Sequence, residues 1–135
     1  MMKKIALFAL GTLLSTTAFA SADHYVRKDG NHVQHLKISQ QKGEVNVLVD
    51  VDFEPGANET NAKACSAEIS GEATVVSATE LTLKKQARGE AHYCQLKIHL
   101  DQNQAIIEET EDCIKYFAGG ICRFDSEGKA LNKIQ

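Results

Sequence analysis

Between Tyr93 and Leu100 the character of the chain changes at every residue. Cys94, Leu96, Ile98 and Leu100 fall on one side, and Tyr93, Gln95, Lys97 and His99 on the other. A period of two fits a β-strand with one face on a core and the other in water; it fits no helix. This strand opens the stretch from His92 to Phe124, which holds three of the four cysteines and the Gly119-Gly120 pair. Asp101-Gln102-Asn103-Gln104 reads as a polar turn and Ala105 to Thr110 as a returning strand. The stretch therefore predicts a disulfide-fastened antiparallel sheet onto which the rest of the chain pairs.

The other strand runs obey the same rule. Val45, Val47, Val49, Val51 and Phe53 share a face, and β-branched residues at every second position argue strongly against a helix. Gln41-Lys42-Gly43 separates this run from a weaker one over His32 to Ser39, as a hairpin turn would. Asp23 to Asn31 is polar and predicts a fraying or edge segment. Pro55-Gly56 ends a strand, and Ala57 to Ala64 predicts one helical turn. Cys65 to Ile69, Ala73 to Ala78 and Glu80 to Lys85 read as three strands, with a turn at Ser70-Gly71 and with Leu81 and Leu83 facing inward. Lys129 to Ile134 is a terminal strand or tail. The sum is an all-β antiparallel meander of about seven or eight short strands, closed as a barrel or folded as a sandwich. Short connections favour the barrel, because they pair neighbours in sequence.

The first twenty residues stand apart. Met1-Met2-Lys3-Lys4 is a basic start, Ile5 to Leu14 an apolar run of about ten residues, and Ala18-Phe19-Ala20 a small-x-small exit. The run is too short to span a bilayer, so it predicts a secretory signal cleaved after Ala20, and a periplasmic protein. Residues 21–135 then form a single domain. No cysteine sits at the boundary, so no lipid anchor is expected. Loss of Lys3 and Lys4 leaves thirteen bases against eighteen acids, a net charge of −5. The signs are interleaved, which argues against nucleic acid and anionic membrane as partners and mildly favours a basic one.

An oxidising compartment makes two disulfides the default for four cysteines. Three connectivities exist. Cys113–Cys122 is preferred for its short loop, worth about 2.5–3 kcal/mol in chain entropy, and Cys65–Cys94 follows by elimination. In that arrangement Lys115, Tyr116, Phe117, Gly119, Gly120 and Arg123 ride on or beside a pinned loop. The two glycines would supply its positive φ angles.

Chemistry is harder to find. The serine-hydrolase motif G-x-S-x-G and a Gly-rich phosphate loop are absent. Asp50, Asp52 and Glu54 share one strand face, where solvation accounts for them. The acids of Glu108-Glu109-Thr110-Glu111-Asp112 lack the spacing and central glycine of a calcium loop. The cysteines show no C-x₂-C spacing. His32 and His35 lie three apart on a strand, hence on opposite faces, as do His92 and His99. Only His24 with one of the others would pair. No metal, cofactor or catalytic residue is expected, and the chain is not read as an enzyme.

Tyr93-Cys94, then Cys113, then Ala118-Gly119-Gly120-Ile121-Cys122-Arg123-Phe124 resembles small exported bacterial proteins with a disulfide-pinned glycine loop before the last strand. With its size, signal and β content, the chain resembles the periplasmic lysozyme inhibitors and the immunity proteins against wall-degrading toxins. The resemblance implies a non-enzymatic binding protein whose partner is an envelope enzyme or toxin. The inhibitors commonly insert a Ser-Gly-x-Tyr loop into the target's cleft. This chain lacks that tetrapeptide, so Tyr116 to Gly120 would serve in its place. A carrier of a small apolar ligand, needing an interior cavity, and a structural or stress-related envelope protein are the alternatives.

Overall fold

The computed structural model describes residues 21–55, 63–89 and 91–134. The expected signal segment lies outside the described residues, as does most of the expected helical turn at Ala57–Ala64. Eight strands follow in order: β1 (Ser21–Asp29), β2 (His32–Gln41), β3 (Glu44–Phe53), β4 (Cys65–Ser77), β5 (Glu80–Gln86), β6 (Tyr93–Asp101), β7 (Gln104–Glu109) and β8 (Leu131–Lys133). One helix, α1 (Glu111–Phe117), stands between β7 and β8. Each strand pairs antiparallel with its chain neighbour, and β8 bridges β7 to β1, so the sheet closes as a barrel rather than a sandwich.

The alternation read from the sequence sets which face is inside. Leu36 on β2, Val49 and Val51 on β3, and Cys94, Leu96 and Ile98 on β6 are wholly buried. An eight-stranded barrel is just wide enough for such side chains to fill it, and here they form one hydrophobic cluster. Each Leu or Ile so buried contributes roughly 1.5–3 kcal/mol.

Two strand expectations need correction. The turn expected at Ser70-Gly71 does not form: β4 runs unbroken through both residues. A Cβ on Gly71 would meet Leu83 Cδ1 at 3.1 Å, so the glycine lets β4 lie close over Leu83 on β5 instead of turning the chain. The segment expected to fray is β1, paired over its whole length with β2 from Ser21↔Gln40 to Asp29↔His32. Its inward positions, Tyr25 and Arg27, are buried.

The two ends of the barrel differ. At one end β2–β3, β4–β5 and β6–β7 are joined by two-residue turns, Lys42-Gly43 taking φ of 53° and 81° as a primed hairpin turn requires. The other end carries α1, both disulfides and the segment that returns from α1 to β8.

Candidate functional site

The stretch expected to be a pinned hairpin or loop begins as a helix. Thr110 extends the sheet, its N–H donating to Gln95 O and its hydroxyl accepting from Gln95 N–H, both at 3.1 Å. The chain then turns. Glu111 and Asp112 occupy the first turn of α1 and Lys115 the last, the distribution that complements the helix dipole. Cys113, Ile114, Phe117 and Ala118 have a helical rather than a two-residue spacing, and Cys113 and Ala118 are buried. The helix stops where Gly119 and Gly120 take φ of 66° and 78°, with Gly120 N–H donating to Ile114 O at 2.8 Å.

This helix overturns the expected disulfides. The bonds are Cys94–Cys113 and Cys65–Cys122, with Cα separations of 4.4 and 5.7 Å. The short loop from Cys113 to Cys122 is not closed on itself, because α1 carries its first residue onto β6 and its last to the rim where β4 starts. The two bonds therefore anchor the segment at both ends to different strands.

The six residues expected on one loop occupy two places. Lys115 and Tyr116 lie on the outer side of α1, and Phe117 turns in to pack against the core. The Tyr116 ring stacks on His92 at 4.6 Å, yet Tyr116 stays 39% exposed. His92 in turn holds Asp112 at 3.3 Å, so the ring pair is tied to the first turn of the helix. Beside them Lys84 Nζ sits 4.6 Å over the ring of Tyr93, which is 44% exposed. His92 and Tyr93 were missed as site residues. Their only signal in the sequence is their position just before the cysteine of the central strand.

Arg123 belongs to the second place, the segment that covers the barrel end. Phe124 is fully buried there, its N–H donating to Glu109 Oε2 at 2.9 Å and its carbonyl accepting from the buried Gln34 amide. Ser126 completes the seam: its N–H donates to Ile107 O, and its hydroxyl accepts from Ile107 N–H, each at 2.9 Å. Arg123 reaches Asp125 at 3.0 Å and Glu109 at 3.6 Å. The side chain of Glu109 is only 2% exposed. Burial raises its pKa to about 6, against the opposing pull of the Phe124 N–H. Between this segment and the rim lies a crevice of about 320 Å³ lined by His32, Phe53, Lys63, Ile121, Arg123 and Glu127, among others.

Both places are tied down by a disulfide, but among the described residues only the first presents largely exposed aromatic rings, Tyr93 and Tyr116, to solvent. No protein-family model, curated protein or solved structure matches the chain.

Proposed function

We propose that this is an exported, non-enzymatic binding protein whose contact face is built on α1 and the adjoining start of β6. Its partner, on this reading, is another protein, an envelope enzyme or a toxin that it blocks. The observation that carries the proposal is Tyr116: an amphipathic ring, exposed, stacked on His92 and held on a helix bonded to β6 through Cys94–Cys113. A ring fixed before binding loses little conformational entropy on contact, and such residues make strong anchors. Two disulfides support an oxidising compartment, in keeping with export and cleavage after Ala20. The packing of the inward side chains into one hydrophobic cluster supports this reading over a carrier of an apolar ligand.

The test is capture of partners by the mature protein from envelope extract and from competing bacteria, then affinity measurement on what is captured. Tyr116→Ala should weaken binding by about 2 kcal/mol or more while the melting temperature holds. A melt that collapses, with affinity following the folded fraction, would make Tyr116 a core residue. Unchanged affinity with an unchanged melt would move the contact face elsewhere, the outer face around Asp50 and Asp52 being next in line.

A further inference from the structure

Of the five histidines only His24 was expected to be able to pair with another, and the default expectation for all was exposure to solvent. Instead His24 Nε2 and His35 Nδ1 face each other at 2.9 Å, with ring centroids 5.1 Å apart and planes inclined by 34°. The register explains the meeting. His24 lies opposite Lys37 and Val26 opposite His35, so the two imidazoles are diagonal neighbours on the outer face of the sheet. Both are half-buried. The next strand brings Asp50 directly opposite His35 on the same face. Opposed residues of this kind have Cβ atoms about 4.5–5.5 Å apart.

We propose that His24 and His35 form a two-imidazole binding site for a divalent late transition metal, copper(II) or zinc(II), on the outer face of β1 and β2. Two metal–nitrogen bonds of about 2.0–2.1 Å at a tetrahedral angle place the nitrogens about 3.3–3.4 Å apart. The nitrogens therefore need part by about half an ångström from where the fold holds them, with each ring turning to bring its lone pair off the line between them. The hydrogen between the two nitrogens moves to the far nitrogen of the same ring, so both lone pairs turn to the metal and neither imidazole need lose a net proton. Imidazole donors select copper, zinc or nickel over magnesium and calcium. Among the described residues no group of three His, Cys, Asp or Glu is already arranged around one point. The remaining positions thus fall to water or to an incoming ligand. His24 opens onto a surface groove of about 600 Å³, also lined by Lys37, Ser39, Asn46, Leu48 and Ser70, with room for either.

The experiment titrates copper(II) and zinc(II), each against a chromophoric competitor, into the mature protein and into His24→Ala, His35→Ala and the double variant, with His99→Ala as control. Wild type and His99→Ala should take up one ion per chain. Removing either His24 or His35 turns two-point attachment into one-point and should weaken binding about 100-fold, with the double variant little worse than either single one. Copper should bind more tightly than zinc. Single variants within threefold of wild type, or uptake that falls with His99→Ala, would overturn the site. Wild-type protein gives a check free of any folding defect: on adding zinc, the ring nitrogens of His24 and His35 should shift together in nitrogen-15 spectra. Shifts confined to His32, His92 or His99 would equally overturn it.

Discussion

The two ends of the barrel solve the same closure problem by different means. At the end of the Lys42-Gly43, Ala78-Thr79 and Gln102-Asn103 turns, strands reverse over two residues, and each turn joins strands adjacent in sequence. At the opposite end a segment about twenty residues long leaves the sheet, forms α1, crosses the opening and returns as β8. It is held by two cross-links, by Phe124 and by polar groups out of water: Gln34, Ser126 and the Glu109 side chain. Arg27 Nη2, Glu109 Oε1 and Asp125 Oδ1 are buried there without a hydrogen-bond partner among the described residues. An end made of local turns is cheap and inert. An end made of distant contacts can hold an exposed aromatic in a fixed pose, and its stability depends on redox state and pH.

The sharpest way to break this contrast is to remove the cross-link that spans the greater length of chain. Cys65 and Cys122 are 57 residues apart and Cys94 and Cys113 are 19 apart. On the chain-entropy account their loss should cost about 4 and about 3 kcal/mol respectively. Urea unfolding of Cys65→Ala/Cys122→Ala and Cys94→Ala/Cys113→Ala checks both the size and the order. Equal or reversed losses would mean that the covering segment is held mainly by Phe124 and its seam.

The pH dependence of the covered end comes next. Glu109 has a pKa of about 6 in the folded chain against 4.5 for an unperturbed carboxyl, so the folded state binds the proton more tightly. Its contribution is most favourable below pH 4.5 and is lost as pH rises through 6, about 1–2 kcal/mol in all. Comparing wild type with Glu109→Gln by chemical denaturation between pH 4 and 7 isolates this slope, which the variant should lack. At neutral pH Glu109→Gln should be as stable as wild type or more so. A wild-type curve that rises against the variant's over this range would show that Arg123 outweighs burial.

At the opposite end, Gly43→Ala tests whether the turn matters only through its backbone. A Cβ there meets nothing within 4 Å, but φ is +81°. The expected cost is about 1 kcal/mol, read as a lowered denaturation midpoint with unchanged slope. The smallest effect belongs to the exposed ring. Tyr116→Ala should cost about 1 kcal/mol of stability or less, since the residue is 39% exposed and its stack is on His92, itself exposed. A thermal melt measures this apart from any partner.

Legibility followed the range of the interaction. The strands over Glu44–Phe53 and Tyr93–Asp101 were plain because each residue's burial is announced by its neighbours two positions away. β4 was misread as two strands because Gly71, a turn signal when read alone, serves Leu83 on another strand. Helix α1 escaped notice because seven residues give scarcely two turns of periodicity, set between two strands that alternate. Lys115 and Tyr116 were recognised as exposed site candidates, but not the His92 ring that orients Tyr116.

The sequence by itself determined the all-β class, the inward faces of β3, β5 and β6 and the meander order. Side-chain alternation and short turns are properties of a few consecutive residues, and the barrel inherits them. Only the tertiary structure decided which cysteines join, which histidines meet and which carboxylate loses its water. Those outcomes depend on the register and closure of the barrel. A helix of seven residues carries Cys113 to β6, the segment after it takes Cys122 to β4, and the pairing of β1 with β2 brings His24 against His35. No span of sequence shorter than the whole sheet contains that information.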